Sequence, residues 1–221
     1  MIILLRAFTL LLPWPLRRSA MRWWFGYDLH PTSRIGWSWV FPRRLVMGAH
    51  ASIGHLTVCK DLDSLVMGDH AIIGRLNWIT GFPKDGPGHF VAQPDRRPEL
   101  MIGEHASITN RHIIDCTDRV EIGRFTTVAG FRTQVLTHSI DLAACRQAAS
   151  PVTIGTYCFI GTDAVILGGS SLPDYSVLGA KSLLNQRLEL THRLYAGVPA
   201  REVKVIDRSS LYFTRSEGFV H

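Results

Sequence analysis

The chain has 221 residues, 46% of them apolar and 19% charged, enough for a buried core and too apolar for wholesale disorder. Lys plus Arg number 24 against 18 Asp plus Glu, and the net charge of +6 suits an anionic ligand or a membrane surface. The basic residues form no block with interleaved aromatics, which argues against nucleic acid as a partner.

The first segment is apolar from residue 2 to residue 12 apart from Arg6 and Thr9, and Pro13 and Pro15 are expected to end any helix there. A helix of that length reaches ~16 Å, about half a bilayer's hydrocarbon core, so a transmembrane span does not fit. Arg17-Arg18 and the bulky residues around them make a poor signal-peptide cleavage site. Two readings stay open. The helix packs on its own domain or a neighbouring subunit, or residues 1–24 lie on a membrane with Trp14, Trp23 and Trp24 at the headgroups and Arg17, Arg18 and Arg22 on anionic lipid.

Beyond this segment an aliphatic residue followed by Gly recurs: Met47-Gly48, Ile53-Gly54, Met67-Gly68, Ile73-Gly74, Ile102-Gly103, Ile122-Gly123, Ile154-Gly155, Ile160-Gly161 and Leu178-Gly179. Within runs the spacing is six, as in Ile154, Ile160, Ile166, Leu172, Leu178 and Leu184, or Ile122, Val128 and Gln134. Small residues often stand two positions earlier, among them Ala51, Ala71, Ala106, Thr126 and Ala164. Neither the helical period of about 3.6 nor the strand period of 2 fits. Six residues make one short strand and one corner, and three such units close a triangular coil of about eighteen residues whose aliphatics stack into one core. Gly is expected to supply the unusual backbone conformation of a corner.

Two stretches leave the ladder, residues 80–100 and 139–151, and long irregular loops in a compact domain are usually functional. The chain therefore divides into an N-terminal apolar and aromatic segment, 1–35, a repeat domain, 36–190, and a closing segment, 191–221. The cysteines Cys59, Cys116, Cys145 and Cys158 show no CxxC pair and no metal-ligand spacing, so they read as free thiols of a reducing compartment, Cys116 and Cys158 packed.

The ladder, Thr137-His138 before the second excursion, Phe159-Ile160-Gly161-Thr162 after it, and Gly197-Val198-Pro199-Ala200-Arg201 together resemble the hexapeptide-repeat acyltransferases, most closely the maltose, galactoside and polysaccharide O-acetyltransferases. The resemblance covers roughly residues 45–206. It implies an all-β solenoid, a left-handed parallel β-helix, which departs from the usual right-handed crossover. It also implies a homotrimer with each site between two subunits, acetyl-CoA as acyl donor, no metal, and a cytoplasmic enzyme, peripheral on the membrane if residues 1–24 bind it.

On that resemblance His138 is the general base, because a sugar hydroxyl is hardly ionised at pH 7 and a neutral imidazole suits its deprotonation. No nucleophile elbow is present, so the acceptor attacks the thioester directly. The backbone N–H of Thr162 meets the oxyanion. Phe159, Gly161, Gly179, Ala180 and Gly197 line the donor arm, and Arg201 meets a coenzyme A phosphate. The chain departs from the family at Asn185-Gln186, where a Lys is usual.

The acceptor side draws on Asn77, Asn110, His112, Arg132 and Asp141. Asn77, His112 and Arg132 each stand two before a ladder position and are expected to form a polar column on one corner, either a structural hydrogen-bond ladder or a wall of the acceptor pocket. Asp141, three after His138, orients the imidazole, binds a sugar hydroxyl, or is a solvated loop acid. The reading is an acetyl-CoA-dependent O-acetyltransferase acting on a saccharide of exopolysaccharide, capsule or lipid-linked glycan biosynthesis. The alternatives are an N-acyltransferase on an amino sugar or other amine and a non-catalytic β-helix scaffold. A β-helical carbonic anhydrase would need converging histidines that His138 lacks nearby.

Overall fold

The structure, a computed structural model, describes residues 2–86, 89–218 and 220; residues 87 and 88 of the first excursion and residues 1, 219 and 221 lie outside it. Short strands wind through three flat faces in rotation, broken by one hairpin and ending in an antiparallel pair, Arg193–Ala196 with Arg201–Val205, on the second face. The first face runs from Asp28–Leu29 to Ser171–Leu172, the second from Arg34–Ile35 to Arg201–Val205, and the third from Trp39–Phe41 to Leu183–Leu184. Neighbouring coils pair in parallel, and the ladder residues meet in register, Met47 on Met67, Ile73 on Ile108, Ile122 on Ile154 and Ile160 on Leu178. These side chains fill the prism as one buried stack.

The first coil begins at Asp28–Leu29, which pairs with Val46 and Met47, so the solenoid starts inside the segment drawn at 1–35. Two helices precede it, α1 (Ile2–Leu10) and α2 (Trp14–Phe25). Pro13 ends the first helix, but Pro15 falls in the first turn of α2, where its missing N–H costs no hydrogen bond. Helix α2 plugs the open end of the prism. Met21 is fully buried, Trp14 Nε1 donates to Ser33 O at 3.0 Å, and Arg17 donates to Gly36 O at 2.7 Å and Ser38 O at 2.6 Å. Burial lowers the Arg17 pKa to about 10.

Corner chemistry differs from the expectation in two ways. Positive φ is carried mainly by non-glycine residues, including His50, His70, His105, Phe125, Tyr157, Tyr175 and His192. Those seven rings stack along the corner between the first and second faces with neighbouring centroids 4.6 to 5.6 Å apart, and the contacts offset the strain of that backbone. The recurrent glycines instead permit close approach of coils: a Cβ on Gly161 would lie 2.5 Å from Ala180 N.

The register also changes at Gln134. Gln134 pairs with Ile113 and Val135 with Ile114, so Val135, 1% exposed, is the inward residue and the corner before it is one residue longer. The residue two before it is Thr133. The column is therefore Ser38, Thr57, Asn77, His112 and Thr133, without Arg132. Each side chain accepts the N–H of the next coil's member: Thr57 N–H on Ser38 Oγ at 2.9 Å, Asn77 N–H on Thr57 Oγ1 at 3.2 Å, His112 N–H on Asn77 Oδ1 at 2.9 Å and Thr133 N–H on His112 Nδ1 at 3.1 Å. Corner N–H groups inside the prism have no water to turn to, and this relay satisfies them.

The excursion at 139–151 is a two-stranded hairpin, His138–Asp141 antiparallel to Arg146–Ala149, and residues 99–100 of the other excursion already belong to the strand Glu99–Ile102. Cys59, Cys116 and Cys158 are buried and Cys145 is exposed; burial raises the Cys59 and Cys158 thiols to about 12.

Candidate active site

His138 stands where the third face turns toward the first, directly after the strand Gln134–Leu136. Its backbone N–H donates to Asp115 Oδ2 at 2.8 Å, and the Thr137 hydroxyl donates to the same oxygen at 3.1 Å. Asp115 Oδ1 is held in turn by the Thr117 hydroxyl at 2.6 Å and N–H at 3.1 Å. Asp115 pairs with Leu136 in the parallel ladder, so its carboxylate lies one coil below the histidine.

The first excursion folds over this corner. Phe82 and Phe90 meet the imidazole edge to face, with centroids 5.6 and 5.3 Å away at 77° and 72°. Arg96, 5% exposed, stacks 4.5 Å from Phe90 and donates to Phe82 O, Pro83 O and Thr117 O. Burial lowers its pKa, against the pull of Asp63, Asp118 and Asp115. Gln93 closes the assembly with both amide atoms, donating to Ala149 O at 3.1 Å and accepting Ala149 N–H at 2.7 Å. Loop and hairpin thus form one unit around His138. Its Nε2 is buried and has no hydrogen-bond partner among the described residues.

Thr162 stands on a different corner, where the second face turns toward the third, and the strands of the third face, roughly 10–15 Å of chain, separate it from His138. Its hydroxyl is occupied, donating to Phe131 O at 2.9 Å and accepting Phe131 N–H at 3.0 Å. On this corner an outward N–H can be met by the side chain one coil on: Trp37 N–H by His55 Nδ1 at 3.1 Å and Arg75 N–H by Asn110 Oδ1 at 2.8 Å. The residue one coil beyond Thr162 is Ala180, whose side chain has no acceptor, and no described group accepts the Thr162 N–H, as holds also for the His55, Asn110 and Ala180 N–H groups on this corner.

The residues assigned to the donor lie near Thr162. Gly161 packs on Ala180, which is exposed; Gly179 N–H donates to Tyr195 O at 2.8 Å and Gly197 N–H to Ser182 Oγ at 3.1 Å. Arg201 is exposed at the end of the second face and, among the described residues, donates only to Ala200 O, at 3.0 Å. Phe159 faces outward on the floor of a groove of about 860 Å³ between the second face and the C-terminal tail. Thr127 and His105 share that groove, and Tyr212 meets Phe159 edge-on at 6.1 Å.

The acceptor assignments disperse. Asn77 and His112 are each 1% exposed and their polar atoms are taken: Asn77 Nδ2 donates to Thr109 O at 2.9 Å, and His112 Nε2 lies 2.9 Å from Thr109 Oγ1. Because His112 Nδ1 accepts from Thr133 N–H, the ring proton belongs on Nε2. Burial lowers the His112 pKa to about 4. Asn110 is the acceptor for Arg75 N–H, Arg132 is exposed and paired with Asp163 at 3.1 Å, and Asp141 is paired with Arg146 at 3.6 Å and accepts Ala144 N–H at 3.0 Å. Asp141 therefore braces the hairpin, and Asp115 anchors the backbone of His138. Phe82, Phe90, Gln93 and Arg96 are legible in the sequence only as part of the excursion at 80–100, and Asp115 only as the end of the segment that holds Asn110 and His112; none is marked there as a partner of His138.

No family model matches the chain, and no curated protein matches it. Solved structures do. A polysialic acid O-acetyltransferase, OatWY, superposes with a TM-score of 0.62 at 16% identity, covering 84% of this chain and 90% of that one. A mutant of AntD, an N-acyltransferase from Bacillus cereus, in complex with dTDP-4-amino-4,6-dideoxyglucose and coenzyme A, gives 0.52 at 14%, covering 90% and 93%. The hexapeptide-repeat containing acetyltransferase VCA0836 from Vibrio cholerae gives 0.50 at 19%, covering 92% and 87%. The chain is a left-handed parallel β-helix, the fold of hexapeptide-repeat acetyltransferases.

Proposed function

We propose that the chain is an acetyl-CoA-dependent O-acetyltransferase acting on a sugar hydroxyl, in exopolysaccharide, capsule or lipid-linked glycan biosynthesis in the cytoplasm. The observation that carries this reading is the anchored and clamped imidazole of His138, with the motif residue Thr162 on a separate corner. His138 is anchored by Asp115 and clamped by Phe82 and Phe90, while Thr162 presents an N–H without an acceptor among the described residues. In the reaction, His138 takes the acceptor's proton as its hydroxyl oxygen attacks the thioester carbonyl. The Thr162 N–H steadies the oxyanion, and the thiolate of coenzyme A leaves. Phe159, Gly161, Gly179, Ala180 and Gly197 flank the donor arm, and Arg201, with no carboxylate partner among the described residues, faces a phosphate.

Because one chain holds His138 and Thr162 on different corners, the reading requires a homotrimer in which His138 of one subunit faces the Thr162 corner of the next. The test is thiol release from acetyl-CoA with a panel of sugars, followed by mass analysis of the product. Release that depends on no acceptor, or none at all from a folded trimer, overturns the reading. The likeness to an N-acyltransferase structure favours a second reading, transfer to an amino sugar. Mild alkali separates the two, cleaving an ester product and sparing an amide.

A further inference from the structure

Helix α1 is amphipathic in the wrong sense for a helix that covers a soluble domain. Its polar residues turn inward: Thr9 is fully buried with its hydroxyl on Arg6 O at 2.7 Å, and the Arg6 guanidinium sits 5.4 Å from the Phe41 ring. Its solvent side is Ile2, Ile3, Leu4, Ala7 and Phe8, followed by Leu11, with Leu4 75% and Leu11 78% exposed. Helix α2 extends the same character, with Leu16 60% and Trp23 84% exposed, and Phe8 touches Trp24 at 6.2 Å between centroids. A contiguous apolar surface of this kind needs a cover.

The charge pattern indicates which. Residues 2–27 carry Arg6, Arg17, Arg18 and Arg22 and no acidic side chain, and Arg22 is exposed beside Trp23. A second copy laid helix to helix on this face would offer no carboxylate from its own residues 2–27 to Arg18 or Arg22. Arg6 turns inward and Arg17 is buried on Gly36 O and Ser38 O, so the basic groups left for anionic headgroups are Arg18 and Arg22, and the acyl boundary matches the apolar face. Among the described residues no helix is long and apolar enough to cross a membrane, so the fit is to a helix pair lying in the interface plane. We propose that α1 and α2 form a docking surface for an anionic lipid bilayer, holding the closed end of the β-helix at the membrane. This does not rest on the acyl-transfer reading, since it concerns the opposite end of the prism from Gly197 and Arg201.

The test uses the full-length chain and sedimented or floated vesicles, one set of phosphatidylcholine alone and one containing phosphatidylglycerol. Binding is expected to the second set, to weaken with salt, and to fall roughly tenfold or more in Leu4→Asp/Leu11→Asp and in Arg22→Glu. The milder Leu4→Ser/Leu11→Ser serves if the Asp pair does not fold. Lipid-free light scattering and thermal melting are expected to match the parent. No binding to anionic vesicles overturns the proposal, as does binding indifferent to these substitutions. A smaller assembly mass for the variants without lipid also overturns it, by showing that a second copy covers the face.

Discussion

The Asp115 carboxylate reaches across one coil of the β-helix to accept the backbone N–H of His138 at 2.8 Å. Asp115 ends the strand Ile113–Asp115, and His138 opens the hairpin on the coil above it. The contact is to backbone, so Asp115 fixes where the chain leaves the prism and acts on the imidazole through that placement. A charged acceptor for two donors, Thr137 Oγ1 and His138 N, is stronger than a neutral one and resists reorientation.

On the acyl-transfer reading Asp115→Ala is expected to lower kcat by about tenfold to a hundredfold, by loosening the base. The KM for acetyl-CoA is expected to stay near the parent value. Asp115→Asn keeps one acceptor oxygen for the His138 N–H while turning its NH2 toward the Thr117 N–H, and is expected to recover part of the loss. Steady-state kinetics on both variants check this; equal loss in both would place the carboxylate's charge in the chemistry itself.

The clamp gives a second expectation. Phe90→Ala removes one ring from the imidazole and the stacking surface of Arg96. Arg96→Ala frees Phe82 O, Pro83 O and Thr117 O together. Both are expected to make the loop at 82–96 cleavable by limited proteolysis and to lower turnover, while the coils keep their circular dichroism. A loop equally resistant in Arg96→Ala would show that Gln93 on Ala149 and the two rings on His138 hold it without the guanidinium.

The ladder was legible because its period of six is imposed by the geometry of every coil, so Ile154, Ile160 and Ile166 repeat the same constraint. The register slip at Gln134 was not, because a one-residue extension of a corner leaves another aliphatic, Val135, beside the expected position. His138 and Thr162 were marked by local motifs, whereas Asp115 and Arg96 act across 23 and 21 residues of chain, on His138 and Thr117, and no local spacing signals such contacts. Asn77, His112 and Arg132 read as one polar column, and the coil stacking keeps the first two, each consumed by the backbone of its neighbour, and puts Thr133 in place of Arg132.

His112 sets a pH dependence. Its folded pKa of about 4 lies below the ordinary value of 6.5, because burial disfavours the imidazolium. Between those values the unfolded chain binds the proton and the folded chain does not, so stability falls as pH drops from about 6.5 toward 4. The full effect is on the order of 3 kcal/mol. His112→Asn keeps an acceptor for the Thr133 N–H, as Asn77 does for His112, and is expected to fold and to flatten the slope. Denaturant melts across that range measure it; an unchanged slope in His112→Asn would assign the dependence to other groups.

His138 and Arg201 separate chemistry from donor binding. His138→Ala is expected to lower turnover by roughly 10²–10⁴-fold, the contribution of a general base. Acetyl-CoA affinity is expected to change little, since on this reading the imidazole touches the reacting hydroxyl and not the nucleotide. Arg201→Ala is expected to do the reverse. Its guanidinium bonds only to Ala200 O among the described residues, so its loss leaves the fold intact and weakens donor binding by about 1.5–3 kcal/mol if it holds a phosphate. Calorimetric titration with coenzyme A and single-turnover kinetics give the two quantities independently. Should His138→Ala retain near-parent turnover in a folded trimer, His112 could not replace it as base, because Thr109 and Thr133 occupy its two ring nitrogens and burial keeps it from solvent. The base would then have to come from the acceptor or from solvent, and the clamp of Phe82 and Phe90 would be a brace for the hairpin alone.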